Sequence, residues 1–217
     1  MRTRRVKNAD IIIDNCSFLI KNPQEYRGHY QQLFHNDHPL YLEIGMGKGQ
    51  FLLTSALNNP HINYLGIEKF DSIIARAIEK ISVHDLPNIK VIKMDAKDIA
   101  SIFDKEIDTL FLNFSDPWPK NRHAHRRLTS PEFLKLYDGI FKGDKKIILK
   151  TDNKILFASS LISLNNYGYS FKEISLDLHN TAISNIKTEY EEKFSKEGLP
   201  INYLLCEKRK DDKWGLI

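Results

Sequence analysis

The chain has 217 residues, 41% hydrophobic and 28% charged, with a formal net charge of +4 at pH 7. That size and mix suit one soluble globular domain, and no apolar run approaches the roughly 20 residues a membrane-spanning helix needs. The opening MRTRRVKNAD lacks the apolar core of a secretory leader, and Cys16 and Cys206 lie far apart without metal spacing, so a cytoplasmic protein with reduced thiols is expected.

The positive charge is concentrated. Arg2, Arg4, Arg5 and Lys7 against Asp10 give residues 1–10 a charge of +3. Lys120, Arg122, Arg126 and Arg127 against Asp116 give residues 113–127 another +3, leaving −2 for the rest. Two cationic patches on an otherwise balanced chain favour a phosphate-rich partner; the alternative is two solvated segments.

After the basic arm at about 1–10, residues 11–37 are mixed, with a short helix expected from Pro23 to Phe34. Leu40 to Ile44 reads as a strand, followed by a glycine loop and a helix from Gln50 to about Asn58. Asn63 to Ile67 is a second strand ending at Glu68, and Ser72 to Ser82 has helical spacing, with Ile73, Ile74, Ala77, Ile78 and Ile81 on one side. Ile89 to Met94 is a third strand ending at Asp95, and a short helix is expected over Ala96 to Phe103. Ile107 to Phe111 is an apolar, branched fourth strand of the kind buried in parallel sheets. Ser130-Pro131-Glu132 opens a helix with a hydroxyl cap, a first-turn proline and an acid near the positive end. Lys146 to Thr151 is a fifth strand and Ile155 to Leu164 a helix, while Tyr169 to Leu178 and Ile201 to Lys208 alternate as two late strands joined antiparallel. The alternation predicts one α/β domain over residues 1–217: a doubly wound, mostly parallel, seven-stranded Rossmann-like sheet with an antiparallel edge.

Glu43-Ile44-Gly45-Met46-Gly47-Lys48-Gly49 sits between the first strand and its helix. The glycine spacing is neither that of dinucleotide folds nor that of a phosphate-binding P-loop. Glu43, two residues before Gly45, is a poor neighbour for pyrophosphate and suits a cationic ligand such as S-adenosylmethionine. Glu68 falls where an acid accepts ribose hydroxyls in nucleotide-binding βαβ units, and Asp95 lies within reach of an adenine amino group. Acids commonly follow strands in turns, so it is the set of three that points to a nucleoside.

After the fourth strand, Asn113-Phe114-Ser115-Asp116-Pro117-Trp118-Pro119 forms a corner stiffened by two prolines, where open α/β sheets bind ligands. A basic loop follows, Lys120 to Arg127, with no acid in it. His123 and His125 have no third ligand in a plausible pattern, and no metal is expected.

These residues resemble the bacterial tRNA (guanine-N7)-methyltransferase family over nearly the whole chain. The matching segments are Met1-Arg2-Thr3-Arg4, Leu42 to Gly49, Gly66-Ile67-Glu68-Lys69, Phe114 to Lys120 with Arg122-His123 and Arg126-Arg127, Lys150 to Asn153, and Thr188-Glu189-Tyr190-Glu191. The resemblance implies methyl transfer from S-adenosylmethionine to N7 of the guanine at position 46 in the tRNA variable loop. It places Glu43, Gly45, Gly47, Glu68, Asp95 and Asp116 at the cofactor, with Asp116 also catalytic. Lys120, Asp152, Thr188, Glu189, Tyr190 and Glu191 would meet the substrate, and residues 122–127, including Arg122, His123, Arg126 and Arg127, the RNA backbone. Trp118 has two readings, a stacking surface for an extruded base and a structural plug. The expected partner is tRNA, without a membrane or a second kind of subunit, the protein being a monomer or a homodimer. Two rivals remain: a methyltransferase acting on an exocyclic amine of a nucleic acid, and a catalytically silent RNA-binding module of the same fold.

Overall fold

The structure, a computed structural model, describes residues 6–195 and 197–209. Arg2, Arg4 and Arg5 of the basic arm, with the Met1–Arg4 segment, therefore lie outside the described residues. Lys7 and Asp10 lie within them, Asp10 on α1 (Ala9–Asp14), a helix the sequence pattern did not reveal.

The strands are β1 (Leu40–Ile44), β2 (Asn63–Glu68), β3 (Ile89–Lys93), β4 (Ile107–Asn113), β5 (Phe141–Thr151), β6 (Tyr169–Ser175) and β7 (Asn202–Lys208). They form one sheet in the order β3-β2-β1-β4-β5-β7-β6, parallel from β3 to β5. β7 runs antiparallel to β5 on one side and to β6 on the other, so the last strand inserts beside β5 and leaves β6 at the edge. The order reverses between β1 and β4, which opens a crevice at their carboxyl ends.

Five further helices connect the strands: α2 (Gln50–Asn58), α3 (Asp71–Ile81), α4 (Pro131–Asp138), α5 (Lys154–Asn166) and α6 (Glu189–Ser195). One apolar layer joins α1, α2 and α3 through Ile13, Leu52, Ile74, Ile78 and Ile81. The other packs Tyr30, Phe103, Leu134, Tyr137, Phe157 and Leu164 on Leu42, Leu110, Ile147 and Leu149. Each fully buried branched side chain contributes about 1.5–3 kcal/mol, and with both faces covered the inner strands read as unbroken apolar runs.

Local chemistry sets the helix starts. The Ser130 hydroxyl caps α4 from the Phe133 N–H with Pro131 in the first turn, and the Asn153 side chain caps α5 from the Leu156 N–H at 2.8 Å. The helix expected from Pro23 to Phe34 is instead two 3₁₀ turns, Pro23–Tyr26 and Tyr30–Leu33. Extended Arg27 and left-handed Gly28 (φ 82°) lie between them and break the helical path. Residues 96–101 also wind as a 3₁₀ turn, capped by Asp95.

Candidate active site

The sheet delivers its acids to one edge. Glu43 is the penultimate residue of β1 and is buried, with Oε1 accepting from Asn113 Nδ2 at 2.8 Å. Its Oε2 is buried and has no hydrogen-bond partner among the described residues. Burial, foremost, pushes the Glu43 carboxyl up to about 7, against the opposing pull of Asn113 and Lys150. A buried carboxylate oxygen without a donor is what a cationic group would satisfy.

The loop after β1 turns on left-handed glycines, Gly45 at φ 74° and Gly47 at φ 57°. A Cβ at either would stand in open space, so the backbone is bare on the side a ligand could approach. The Gly45 and Met46 N–H groups both donate to the Ile67 carbonyl, at 2.8 and 3.0 Å, which holds the loop over β2. Glu68 ends β2 and joins the same loop: Oε2 accepts from the Gly47 N–H at 3.3 Å, and Oε1 from the Lys69 and Phe70 N–H groups at 2.9 and 3.1 Å. Burial raises the Glu68 carboxyl, and those three amides oppose the rise. Asp95 follows β3, accepting from the Lys97 N–H and standing 3.8 Å from Lys69 Nζ. These groups and the bare loop fit a nucleoside with a cationic tail.

β4 ends in a strained corner. Phe114 has φ 50° and Trp118 φ 41°, left-handed values unusual for bulky residues. Asp116 lies between them, exposed and without a hydrogen-bond or ion-pair partner among the described residues. Trp118 is engaged: Arg126 stands 4.9 Å from its ring centroid and His123 meets it edge-on at 5.9 Å. Arg127 turns back on the corner and donates to the Pro117 and Trp118 carbonyls. Lys120, Arg122 and Arg126 are exposed around the 3₁₀ turn Asn121–Arg126.

α6 lies across this edge and ties three strand ends together. Glu189 pairs with Lys48 of the glycine loop at 2.9 Å and with Lys80 of α3. The Tyr190 hydroxyl donates to Asp152 beyond β5 at 3.1 Å, and its ring packs on Phe114 at 4.9 Å and Phe194 at 4.2 Å. Thr188 and Glu191 form a capping box, with the Glu191 N–H on Thr188 Oγ1 at 3.0 Å and the Thr188 N–H on Glu191 Oε2 at 3.4 Å. Of the four residues Thr188 to Glu191, Glu191 alone is fully buried, so its side chain faces the protein interior.

The partner of Glu191 is Lys150, a buried cation that sequence reasoning left without a role. Lys150 Nζ donates to Glu191 Oε2 at 2.7 Å, to the Ile186 carbonyl at 2.8 Å and to Asn185 Oδ1 at 3.0 Å, which satisfies all three of its donors. His179 Nε2 lies 2.8 Å from the other Glu191 oxygen, which also accepts from Asn185. Burial lowers the Lys150 pKa against the pull of Glu191; burial raises Glu191, but Lys150, His179 and Asn185 carry it below the usual range. The sequence signal was a lone lysine after the apolar run Ile147–Leu149, with an acid in the T-x-x-E segment. Asn113, the donor to Glu43, was likewise passed over.

A seven-stranded sheet with this order, a glycine loop after β1 and an acid ending β2 defines an S-adenosylmethionine-dependent methyltransferase of the Rossmann-like class. Solved structures of the same architecture include a 16S rRNA methyltransferase, KamB, at TM-score 0.64 and 12% identity, covering 84% of this chain and 94% of that one. Another is an S-adenosylmethionine-dependent methyltransferase from Aquifex aeolicus, at TM-score 0.55 and 13% identity, covering 94% of this chain and 100% of that one. At such identities the likeness is one of fold. The family model described as "Putative methyltransferase" matches residues 37–204. The tRNA (guanine-N(7)-)-methyltransferase of Bacillus cytotoxicus is 51% identical over 201 residues, 91% of this chain and 93% of its own length. That of Lysinibacillus sphaericus is 46% identical over 93% of this chain and 95% of its own. The chain belongs to the tRNA (guanine-N7)-methyltransferase family.

Proposed function

We propose that the protein methylates N7 of guanine in tRNA, at position 46 of the variable loop, through the residues gathered at the carboxyl edge of strands β1 to β5. The observation that carries this reading is the pairing of a buried Glu43 oxygen, beside a bare glycine loop, with Asp116 on a rigid corner, both without a partner among the described residues. When bound, S-adenosylmethionine supplies the electrophilic methyl group.

Glu43 receives the cationic end of the donor, Glu68 the ribose hydroxyls and Asp95 the adenine amino group. Guanine N7 has an in-plane lone pair and no proton, so no general base is required. The chain's task is to align the acceptor with the donor and to set negative charge where the purine becomes cationic. Asp116 does both. Asp152 and Tyr190, already hydrogen-bonded to each other, bound the base from the α6 side together with Thr188. Lys120, Arg122, His123 and Arg126 lie along the RNA backbone. Trp118 serves as the plug of this loop, since Arg126 and His123 already lie against its ring.

The reading includes one methyltransferase domain, supported by a sheet that runs from residue 40 to 208, and a cytoplasmic setting. No helix among the described residues is long and apolar enough to cross a membrane. It also takes the enzyme to act as a monomer or homodimer without a second kind of subunit.

The test is methylation of bulk unmodified tRNA with labelled cofactor, followed by nuclease digestion and mass spectrometry. 7-Methylguanosine, with its fixed charge, is the expected product. A methylated exocyclic amine would overturn the site of attack, and absence of S-adenosylmethionine binding in calorimetry would leave a silent RNA-binding module.

A further inference from the structure

The basic loop contains one cation that does not face outward. Lys120, Arg122 and Arg126 are exposed, whereas Arg127 is half-buried. Arg127 Nε donates to the Pro117 carbonyl at 3.1 Å and Nη2 to the Trp118 carbonyl at 3.0 Å. These carbonyls belong to the two residues that follow Asp116, so the planar fork grips the backbone immediately beyond the carboxylate.

The grip has something to hold. Trp118 has φ 41° and precedes Pro119, a conformation that persists only where the surroundings over-determine it. Arg127 is itself anchored at both backbone groups: its N–H donates to the Ala124 carbonyl at 3.0 Å, and its carbonyl accepts from the Ser130 N–H at 2.9 Å. Ser130 is the cap of α4. A continuous path therefore runs from the start of α4 through Arg127 to Pro117 and Trp118. The Asp116 carboxylate has no hydrogen-bond partner among the described residues, so its place depends on the backbone that carries it.

We propose that Arg127 is a positioning residue for Asp116: its guanidinium ties the Asp-Pro-Trp corner to the start of α4 and so sets where the carboxylate stands at the reaction centre. The inference rests on Asp116 acting there. It separates Arg127 from its neighbours in the loop, whose charges are free to meet phosphates.

Single-turnover methyl transfer at saturating tRNA and S-adenosylmethionine tests this in Arg127→Lys and Arg127→Gln, with Asp116→Asn run alongside. Lysine keeps the charge but cannot fork to two carbonyls, so both Arg127 variants are expected to lose about 10²-fold in rate, as a misplaced group does. Their cofactor affinity and the salt dependence of tRNA binding stay at wild-type values. In a Trp214→Phe background, which leaves Trp118 as the sole tryptophan, acrylamide quenching of its fluorescence increases in both variants. Wild-type turnover in Arg127→Lys, with a shallower salt slope in Arg127→Gln, would overturn the proposal and make Arg127 a phosphate contact. Unchanged quenching would also overturn it, and remains measurable if turnover is lost for other reasons. If Asp116→Asn is slow and Arg127→Lys is not, the positioning role alone fails; if Asp116→Asn turns over normally, the reading of Asp116 fails and this inference with it.

Discussion

Two carboxylates a few residues from the same crevice have opposite environments. Asp116 is exposed, has no partner among the described residues and sits on a corner stiffened by Pro117 and Pro119, so its substitution leaves the fold intact. Asp116→Asn keeps shape and removes charge, and preorganised electrostatic contacts of this kind contribute ~10²–10³ in turnover. A loss of that order in single-turnover methyl transfer is expected, with tRNA affinity little changed and the wild-type chemical step flat in pH from neutral to mildly alkaline. A wild-type rate in the variant would reduce Asp116 to a turn residue. Glu43 is buried instead, and its carboxyl rises to about 7 in the cofactor-free protein. An unfolded glutamate ionises at about 4.3. Between those values the folded chain binds the extra proton, so stability present below about 4.3 is lost as pH rises towards 7. Glu43→Gln does not share that loss, and its Tm relative to wild type should climb across this window and level off above it. A difference that stays constant with pH would mean that Glu43 ionises normally.

At the scale of elements, α6 is decided by its contacts. It has only seven residues, too few to be stable alone, and it is fixed by the Thr188–Glu191 capping box and the Lys150–Glu191 pair. Both side chains of that pair are almost fully buried, at 3% and 0% exposure. Glu191→Ala would strand the Lys150 ammonium in the interior, at a cost of about 3–5 kcal/mol. Urea unfolding should give a loss of that size, and a double variant, Lys150→Met with Glu191→Leu, should recover much of it. A Glu191→Ala loss below about 1 kcal/mol, the value of a surface pair, would mean that the pair is solvated. By contrast, α2 (Gln50–Asn58) was legible in the sequence as a helix from Gln50 to about Asn58, because the glycine loop marks its start.

Across the whole molecule, charge is sorted by location. The acids Glu43, Glu68 and Asp95 stand at the carboxyl ends of β1, β2 and β3, and the exposed cations Lys120, Arg122 and Arg126 lie beyond the β4 corner. RNA binding is therefore expected to weaken steeply with salt, each lost phosphate contact flattening the slope of log affinity against log salt by about 1. Lys120→Ala with Arg122→Ala should flatten it by about 2 on that basis, with S-adenosylmethionine affinity unchanged. An unaltered slope would mark the loop as a solvated surface.

By itself, the sequence determined the features that depend on local periodicity and punctuation. The five parallel strands are apolar runs between turns, the glycine loop needs left-handed backbone, and the acids sit where those strands stop. Tertiary structure decided what depends on long-range partners. β7 inserts between β5 and β6 because antiparallel pairing is a choice among edges that no local pattern encodes. Glu191 points inward because Lys150, 41 positions away, needs a counter-charge once β5 is covered. Arg127 and Arg126 are adjacent and chemically identical in sequence. Only the fold, by bringing the Pro117 and Trp118 carbonyls within reach of one guanidinium, made the first a clamp and left the second beside the tryptophan ring.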